Sequence, residues 1–398
     1  MERKLGYRHT IYACFVGYVV QAIVNNFAPL LFLTFHGEFG VSLDRIAVLV
    51  SVNFAVQLAT DLVSSRYVDR IGYRRAMYLA HVLGALGLIL LAVLPSIMEE
   101  PFYGLLAAVT VYAVGGGLLE VLVSPVVEAC PTRNKASVMS LLHSFYCWGH
   151  MGVVILSTVF FVTVGIAHWR ALALVWALVP LLNLFYFMNV PIPTLQAEDG
   201  EGLPIRSLLG MGMFWIVMLL MFCAGACEQS MSQWASTFAE LALGVSKTMG
   251  DLFGPLLFAL LMGLSRALYA KVGDRVDLTP FMAGSGVLCL LSYLMASLTR
   301  APAWGLVGCG LCGLSVGILW PGTFSTASAR IPRGGTALFA LLALAGDLGC
   351  GGGPALVGLV SGAQGGDLKA GLLAAAAFPV LLLVGIGSLR RAGRRRGD

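Results

Sequence analysis

Twelve runs of about 20 mostly apolar residues recur along the chain, at approximately 10–35, 45–65, 75–98, 102–128, 137–164, 168–189, 208–238, 249–270, 280–298, 303–328, 336–361 and 369–389. A run of that length is what an α-helix needs to cross the hydrocarbon core of a bilayer. The strict apolar/polar alternation of a membrane β-barrel is absent from the sequence. Composition agrees: of 398 residues 58% are hydrophobic and 11% charged, where a soluble domain carries about a quarter charged. A soluble protein cannot hide that much apolar surface, because much of its exterior must stay polar. A soluble globular domain, a disordered chain and a disulfide scaffold are therefore excluded. The expected fold class is an all-α polytopic membrane protein with twelve transmembrane helices. The 48 glycines fit the close helix approach usual in lipid.

The nine cysteines all lie within or at the ends of apolar runs, and the Cys309/Cys312 pair has no βαβ context. They read as packing, not as a redox or zinc motif. A cleavable signal peptide is not expected, because residues 1–10 are polar and basic and no small-residue cleavage site follows.

Orientation follows from the short connections. With a cytoplasmic N-terminus, 20 of the 25 basic residues fall on the inner side, leaving Arg45, Arg170, Lys247, Arg300 and Lys369 outside. The positive-inside rule thus places both termini in the cytoplasm. The basic tail from Arg390 is read as a topology determinant and not as a nucleic-acid arm. The longest connection, with Pro191, Pro193, Pro204 and the acids Glu198, Asp199 and Glu201, divides two sets of six spans. The expected organisation is an N-terminal six-helix bundle over 1–190, a cytoplasmic linker over 191–207, and a C-terminal bundle with a basic tail over 208–398.

A weak repeat supports two pseudo-symmetric bundles. The second-to-third connection holds Asp69, Arg70, Gly72, Arg74 and Arg75, and the eighth-to-ninth holds Arg266, Lys271 and Gly273. Aligning the glycines sets Arg70 on Lys271 at an offset of 201 residues, against a half-length of 199. The first connection resembles the signature of the major facilitator superfamily, G-x-L-a-D-R-x-G-R-R, with Ser65 in place of its first Gly and Tyr73 in place of a basic residue. The resemblance implies the major facilitator fold and a secondary transporter working by alternating access. It also implies a gating role for Asp69, Arg70, Gly72 and Arg74. A cluster of this kind can bind a neighbouring helix end and latch one conformation; a plain positive-inside loop is the alternative. In the second copy Ala270 stands where Asp69 stands in the first.

Ionisable groups within spans are costly, so each is a functional candidate. In the superfamily fold the first, fourth, seventh and tenth helices surround a central cavity. The acids Glu120, Glu228 and Asp347 fall in the fourth, seventh and eleventh spans and are the candidates for proton coupling. Glu120 follows Gly115-Gly116-Gly117, and an interhelical hydrogen bond is its other reading. Gln229 and Gln233, four apart, share a helix face after Glu228 and precede Trp234. Amides with an indole suit a sugar-like polyol, and interhelical amide bonding is the alternative. Asp347 sits among glycines ahead of Pro354, which suggests either a hinge or close packing. Asn53, Gln57 and Asp61 form one stripe, and Gln21, Asn25 and Asn26 another. His143 and His150 are about 10 Å apart on a helix, too far to share a metal, so no metal is expected. Trp148 lies between them. Trp320-Pro321-Gly322 marks a kink carrying an aromatic. The substrate-binding candidates are thus Asn25, Asn26, Asn53, Gln57, His143, Trp148, Gln229, Gln233, Trp234 and Trp320. The two polar walls, Gln229, Gln233 and Trp234 against Asn25, Asn53 and Gln57, are expected to face a common cavity.

Several of these segments are similar to fucose-permease-like transporters: Asn25-Asn26, Glu120, Leu142-His143-Ser144-Phe145, Ala224-Gly225-Ala226-Cys227-Glu228 and Trp320-Pro321-Gly322. Where fucose permeases carry an acid in the first span, this chain has Asn25 and Asn26. That resemblance implies proton-coupled uptake of a small polar solute such as a sugar, by a monomer in a bacterial inner membrane. A drug/proton antiporter and an intramembrane enzyme or sensor are the other readings. No Walker loop, dinucleotide fingerprint or nucleophile elbow is present, so neither ATP-driven pumping nor a cofactor is expected, and the chain is not expected to be an enzyme.

Overall fold

The computed structural model describes residues 5–131, 135–193, 203–272, 277–331 and 334–394. Among them, twelve helices are long and apolar enough to cross a membrane. The first six are Tyr7–Phe39, Leu43–Ser64, Tyr73–Ile97, Pro101–Val127, Leu141–Thr163 and Ile166–Met188. The second six are Gly212–Leu243, Lys247–Tyr269, Leu278–Leu298, Pro302–Arg330, Leu341–Ala363 and Leu368–Arg391. No strand occurs among the described residues. Most ends fall within a few residues of the apolar runs. The seventh helix runs about one turn further than its apolar run, where Ala239 and Leu243 continue its buried face. The chain forms two compact units, Met1–Arg45 with Val52–Ala197, and Ile46–Ser51 with Glu198–Asp398.

Each unit repeats one packing scheme. In the first, the third span packs on the fourth and sixth, and the first span on the fourth, fifth and sixth. In the second, the ninth packs on the tenth and twelfth, and the seventh on the tenth, eleventh and twelfth. These are the same relations carried forward by six helices, which is what a duplicated six-helix unit predicts.

Four spans are irregular along their length, each near a proline; the twelfth is divided into Leu368–Ala375 and Ala377–Arg394, ahead of Pro379. The first span is α-helical to Asn26, tightens to a 3₁₀ turn at Ala28–Leu31 around Pro29, and resumes to Phe39. The eighth carries a π-turn at Leu252–Leu256 around Pro255. The tenth is divided into Pro302–Val316 and Leu319–Arg330. Its break lies at Gly317 and Ile318, about one turn before the Trp320-Pro321-Gly322 segment in which the kink was expected. The reason is that Pro321 has no N–H and crowds the carbonyl four residues earlier, so the disturbance appears upstream of the proline.

The eleventh span is an unbroken helix, Gly335–Ala363, despite Pro354. Of the two readings of residues 346–354, a hinge or close packing, the unbroken helix matches close packing. Its glycines serve close packing on the seventh span. A Cβ on Gly349 would come 2.9 Å from Ala226 N and from Phe222 C, and one on Gly353 would lie 2.8 Å from Ala226 O. On the facing helix, a Cβ on Gly225 would strike the Gly346 carbonyl and lie 3.0 Å from Cys350 Sγ.

At the far ends of the helices from the termini, the first unit is tied by Glu38. It accepts from Trp169 Nε1 at 2.9 Å and pairs with Arg170, which also donates to Ser96. In the second unit Lys247 Nζ lies 2.7 Å from Asp251 and 3.3 Å from Glu240, with Ser236 Oγ at 3.0 Å. Asp251 is fully buried, so this ammonium neutralises a carboxylate that has no access to water.

Candidate functional site

The polar residues of the first unit converge on one cluster. Tyr18, Gln21 and Asn25 are three and four apart and lie along one face of the first span. That face meets the fourth span at Glu120, where Gln21 Nε2 donates to Oε2 at 2.8 Å. The Tyr18 hydroxyl lies 3.0 Å from Ser124 Oγ. One turn along, Asn25 Oδ1 accepts from Gln57 Nε2 at 2.7 Å and from Asn53 Nδ2 at 3.1 Å. The glycines before Glu120 give the second span its place: a Cβ on Gly117 would lie 2.9 Å from the Gln57 carbonyl. Glu120 itself is half-buried, and Gln21, Asn25, Asn53 and Gln57 are buried. Gln21 Oε1 and Asn53 Oδ1 are buried and meet no hydrogen-bond partner among the described residues. Buried carbonyl oxygens are nearly always bonded in native proteins. One lies on the side chain that holds Glu120 and the other a turn along beside Asn25, and together they offer acceptors that a ligand's hydroxyl or amine donors would complete.

Asn26 turns away from these acceptors. Its Nδ2 donates to the Ala22 carbonyl at 2.9 Å and reaches the Tyr146 hydroxyl at 3.4 Å. His143 is exposed with its ring 5.3 Å from that of Tyr18, whereas His150 is buried. Trp148 is 49% exposed and packs edge-on against Phe145. On the third span His81 lies 2.8 Å from Asn183 of the sixth, and Asn183 donates to the Ala13 carbonyl of the first. This pair binds three helices together and belongs to the scaffold.

In the second unit the seventh span carries a hydrogen-bonded chain. Gln233 Nε2 donates to Gln229 Oε1 at 3.0 Å, and Gln229 Nε2 to Glu228 Oε1 at 3.4 Å. All three are buried. Glu228 Oε2 lies 3.7 Å from Arg266 of the eighth span. Trp234 departs from the expected role of a sugar platform. Its indole is fully buried, donates to the Pro354 carbonyl at 3.1 Å, and lies against Gly358, so both its face and its N–H are taken by packing. Trp320 lies against Gly346, where a Cβ would collide with its ring, directly before the buried Asp347. No group of three or more His, Cys, Asp or Glu placed to hold a metal ion occurs among the described residues.

The second and third spans are joined through the single residue Gly72, at φ +87° and ψ 137°, a backbone conformation open to glycine and strained for other residues. Just beyond it, Arg74 donates to the Val190 carbonyl at 3.0 Å, to the Phe187 carbonyl at 3.4 Å and to the Tyr78 hydroxyl at 3.0 Å. A guanidinium thus caps the C-terminal end of the sixth span, where unpaired carbonyls favour a cation. The side chains of Asp69 and Arg70 lie outside the described residues.

Arg266 went unrecognised in the sequence because a basic residue near a span end is expected merely from membrane orientation. Gln21 was visible as part of a polar stripe, but its partner is 99 positions away. Tyr18 carries no signal at all within its apolar run.

The class is thus an integral membrane protein of two repeated six-helix units, each with a polar cluster among its helices. The sequence matches the Major Facilitator Superfamily over residues 13–354, and the chain belongs to that family. Among solved structures it is similar to a bacterial homologue of the human lysosomal transporter Spinster, in an inward-facing and occupied conformation. That likeness has a TM-score of 0.79 at 13% identity and covers 98% of this chain and 97% of the other. It is also similar to the E. coli fucose:proton symporter, with a TM-score of 0.65 at 15% identity over 96% of this chain and 98% of the other. Identities this low speak for the fold alone. No curated protein sequence gives a significant match.

Proposed function

We propose that the protein is a proton-coupled transporter that takes up a small polar solute, such as a sugar, by alternating access. The observation that carries this reading is the acceptor wall of the first unit: Glu120 held by Gln21, with unfilled carbonyl oxygens on Gln21 and, a turn along at Asn25, on Asn53. A solute with several hydroxyl donors fills such a wall, and a carboxyl group away from bulk water loads and releases a proton as the solute comes and goes. The amides also weigh against an apolar drug as cargo. The fold likeness to a symporter of fucose and protons is in keeping with this reading. The concentration of basic residues on one set of connections supports cytoplasmic termini in a bacterial inner membrane. Asn25, Asn53, Gln57, Gln229 and Gln233 are the proposed solute ligands, and Arg74 with Gly72, Asp69 and Arg70 the proposed gate.

Proteoliposomes holding the full chain, an imposed pH gradient and a panel of labelled sugars test this. At least one sugar should accumulate, and Glu120→Gln should abolish accumulation while keeping exchange of the same sugar down its gradient. Absence of uptake across the panel removes the sugar reading. Accumulation by Glu120→Gln would move the proton to another residue.

A further inference from the structure

The break in the tenth span has a local chemical consequence. In a continuous helix the Gly317 carbonyl would accept from the N–H of residue 321, but Pro321 has none. The next bond of the ladder is intact, with Gly322 N donating to the Ile318 carbonyl at 2.7 Å. Gly317 O is thus left without its helical donor, and Arg266 Nε donates to it at 3.3 Å. The other arm of the same guanidinium, Nη2, lies 3.7 Å from Glu228 Oε2. One side chain of the eighth span therefore holds the acid of the seventh and the break of the tenth together.

The packing keeps Arg266 in that place. The tenth span lies close on the eighth at Gly317, where a Cβ would come 2.8 Å from Ser265 Cβ and 2.9 Å from the Met262 carbonyl. Arg266 is the residue after Ser265. Among charged and titratable side chains, Glu228 faces Arg266 from the eighth span and the Cys312 thiol from the tenth. From the ninth span, Tyr293 spends its hydroxyl on the Cys227 carbonyl at 2.7 Å.

We propose that Arg266 is a positioning residue that couples the charge of Glu228 to the rigidity of the broken tenth span. With Glu228 ionised, the guanidinium is anchored at one arm and its Nε is aimed at Gly317. With Glu228 neutral the anchor is lost, and the segment Leu319–Arg330 is freed to pivot on residues 317–318. This coupling is independent of what the protein carries and of the role given to Glu120.

Hydrogen–deuterium exchange on the full chain in nanodiscs tests it without a substrate. Arg266→Gln should speed exchange of the amides at 318–324 about tenfold, the scale of one lost charge-assisted hydrogen bond in a local opening. Glu228→Gln should speed the same amides in the same direction, and should add nothing in the Arg266→Gln background. Pro321→Ala supplies the missing N–H, so on that background Arg266→Gln should change exchange by less than about twofold. If Arg266→Gln does not fold, Arg266→Lys keeps the charge but not the two-armed geometry, and should speed exchange about threefold. Unchanged exchange in the arginine variant overturns the coupling. So does an equal effect with and without Pro321, or an effect of Glu228→Gln that persists without Arg266.

Discussion

Two neighbouring glycines of the eleventh span provide a controlled test of how the second unit is held together. A methyl group at Gly349 would lie 2.9 Å from Ala226 N and from Phe222 C, both backbone atoms of the seventh span, with the Phe222 carbonyl oxygen nearer still. Backbone atoms cannot rotate away, so the two helices must separate by more than about 1 Å to restore ordinary contact, and a gap of roughly 0.5–1 Å already forfeits a quarter to a half of the dispersion energy across it. The seam is continuous through Gly225, Gly346 and Gly353, so the loss is shared along it. Overpacking of this kind costs about 1–3 kcal/mol. Gly352, three positions along the same helix, is exposed, and a methyl there would meet nothing closer than Phe222 Cζ at 3.8 Å. Replacing either glycine by alanine also gains up to about 1 kcal/mol of helix propensity. That gain cancels in the comparison, leaving Gly349→Ala about 1–3 kcal/mol less stable than Gly352→Ala. Thermal melting of both variants in one detergent, followed by circular dichroism, reads the order directly. Gly352→Ala should melt at or above the wild type and Gly349→Ala below it. Equal melting temperatures, or Gly349→Ala the higher, would refute the close seam.

Lys247→Met should destabilise the protein by about 3–5 kcal/mol, because it leaves the buried Asp251 carboxylate without its cation; adding Asp251→Asn should recover most of the loss in the same melting assay. Trp234→Phe should cost about 1 kcal/mol through the lost bond to the Pro354 carbonyl. Solute affinity measured by calorimetry should stay unchanged in that variant, and a large affinity loss would return the indole to the binding site. Gln233→Ala, by contrast, should weaken binding of the transported solute by about 1–3 kcal/mol with normal expression, and an untouched affinity would remove Gln233 from the site. Asn183→Leu should lower the melting temperature through the unpaired His81 Nε2, at a cost of about 1–3 kcal/mol, while transport in folded protein persists.

Much of the fold was legible because lipid imposes a single rule on length and polarity. Twelve apolar runs became twelve helices, and the repeat first glimpsed between Gly72 and Gly273 recurs as a shared packing scheme. What escaped were effects that depend on partners distant along the chain. Glu120 announced itself as a costly acid, but nothing near it names Gln21. Pro321 announced a disturbance, yet its effect falls on Gly317, because a proline disrupts the turn before it. The glycines around Asp347 read equally as hinge or contact, and only the backbone of the seventh span beside them decides for contact. Trp234 shows the limit for aromatics. The same residue type serves as ligand platform or as core, and the choice rests on whether something already covers its face.

The shared packing scheme of the two units conceals a divergence between them. Carried forward by the 201-residue offset, Glu120 falls on Pro321. Where one copy retains a carboxyl group in an unbroken helix, the other has a helix breaker. If both copies descend from one ancestral unit, this position has specialised in opposite senses, towards chemistry in one lineage and articulation in the other. The halves are then no longer interchangeable. A chimera of two first units would keep the helix arrangement and hold two acids but no joint, and a chimera of two second units would bend at two places without Glu120 in either.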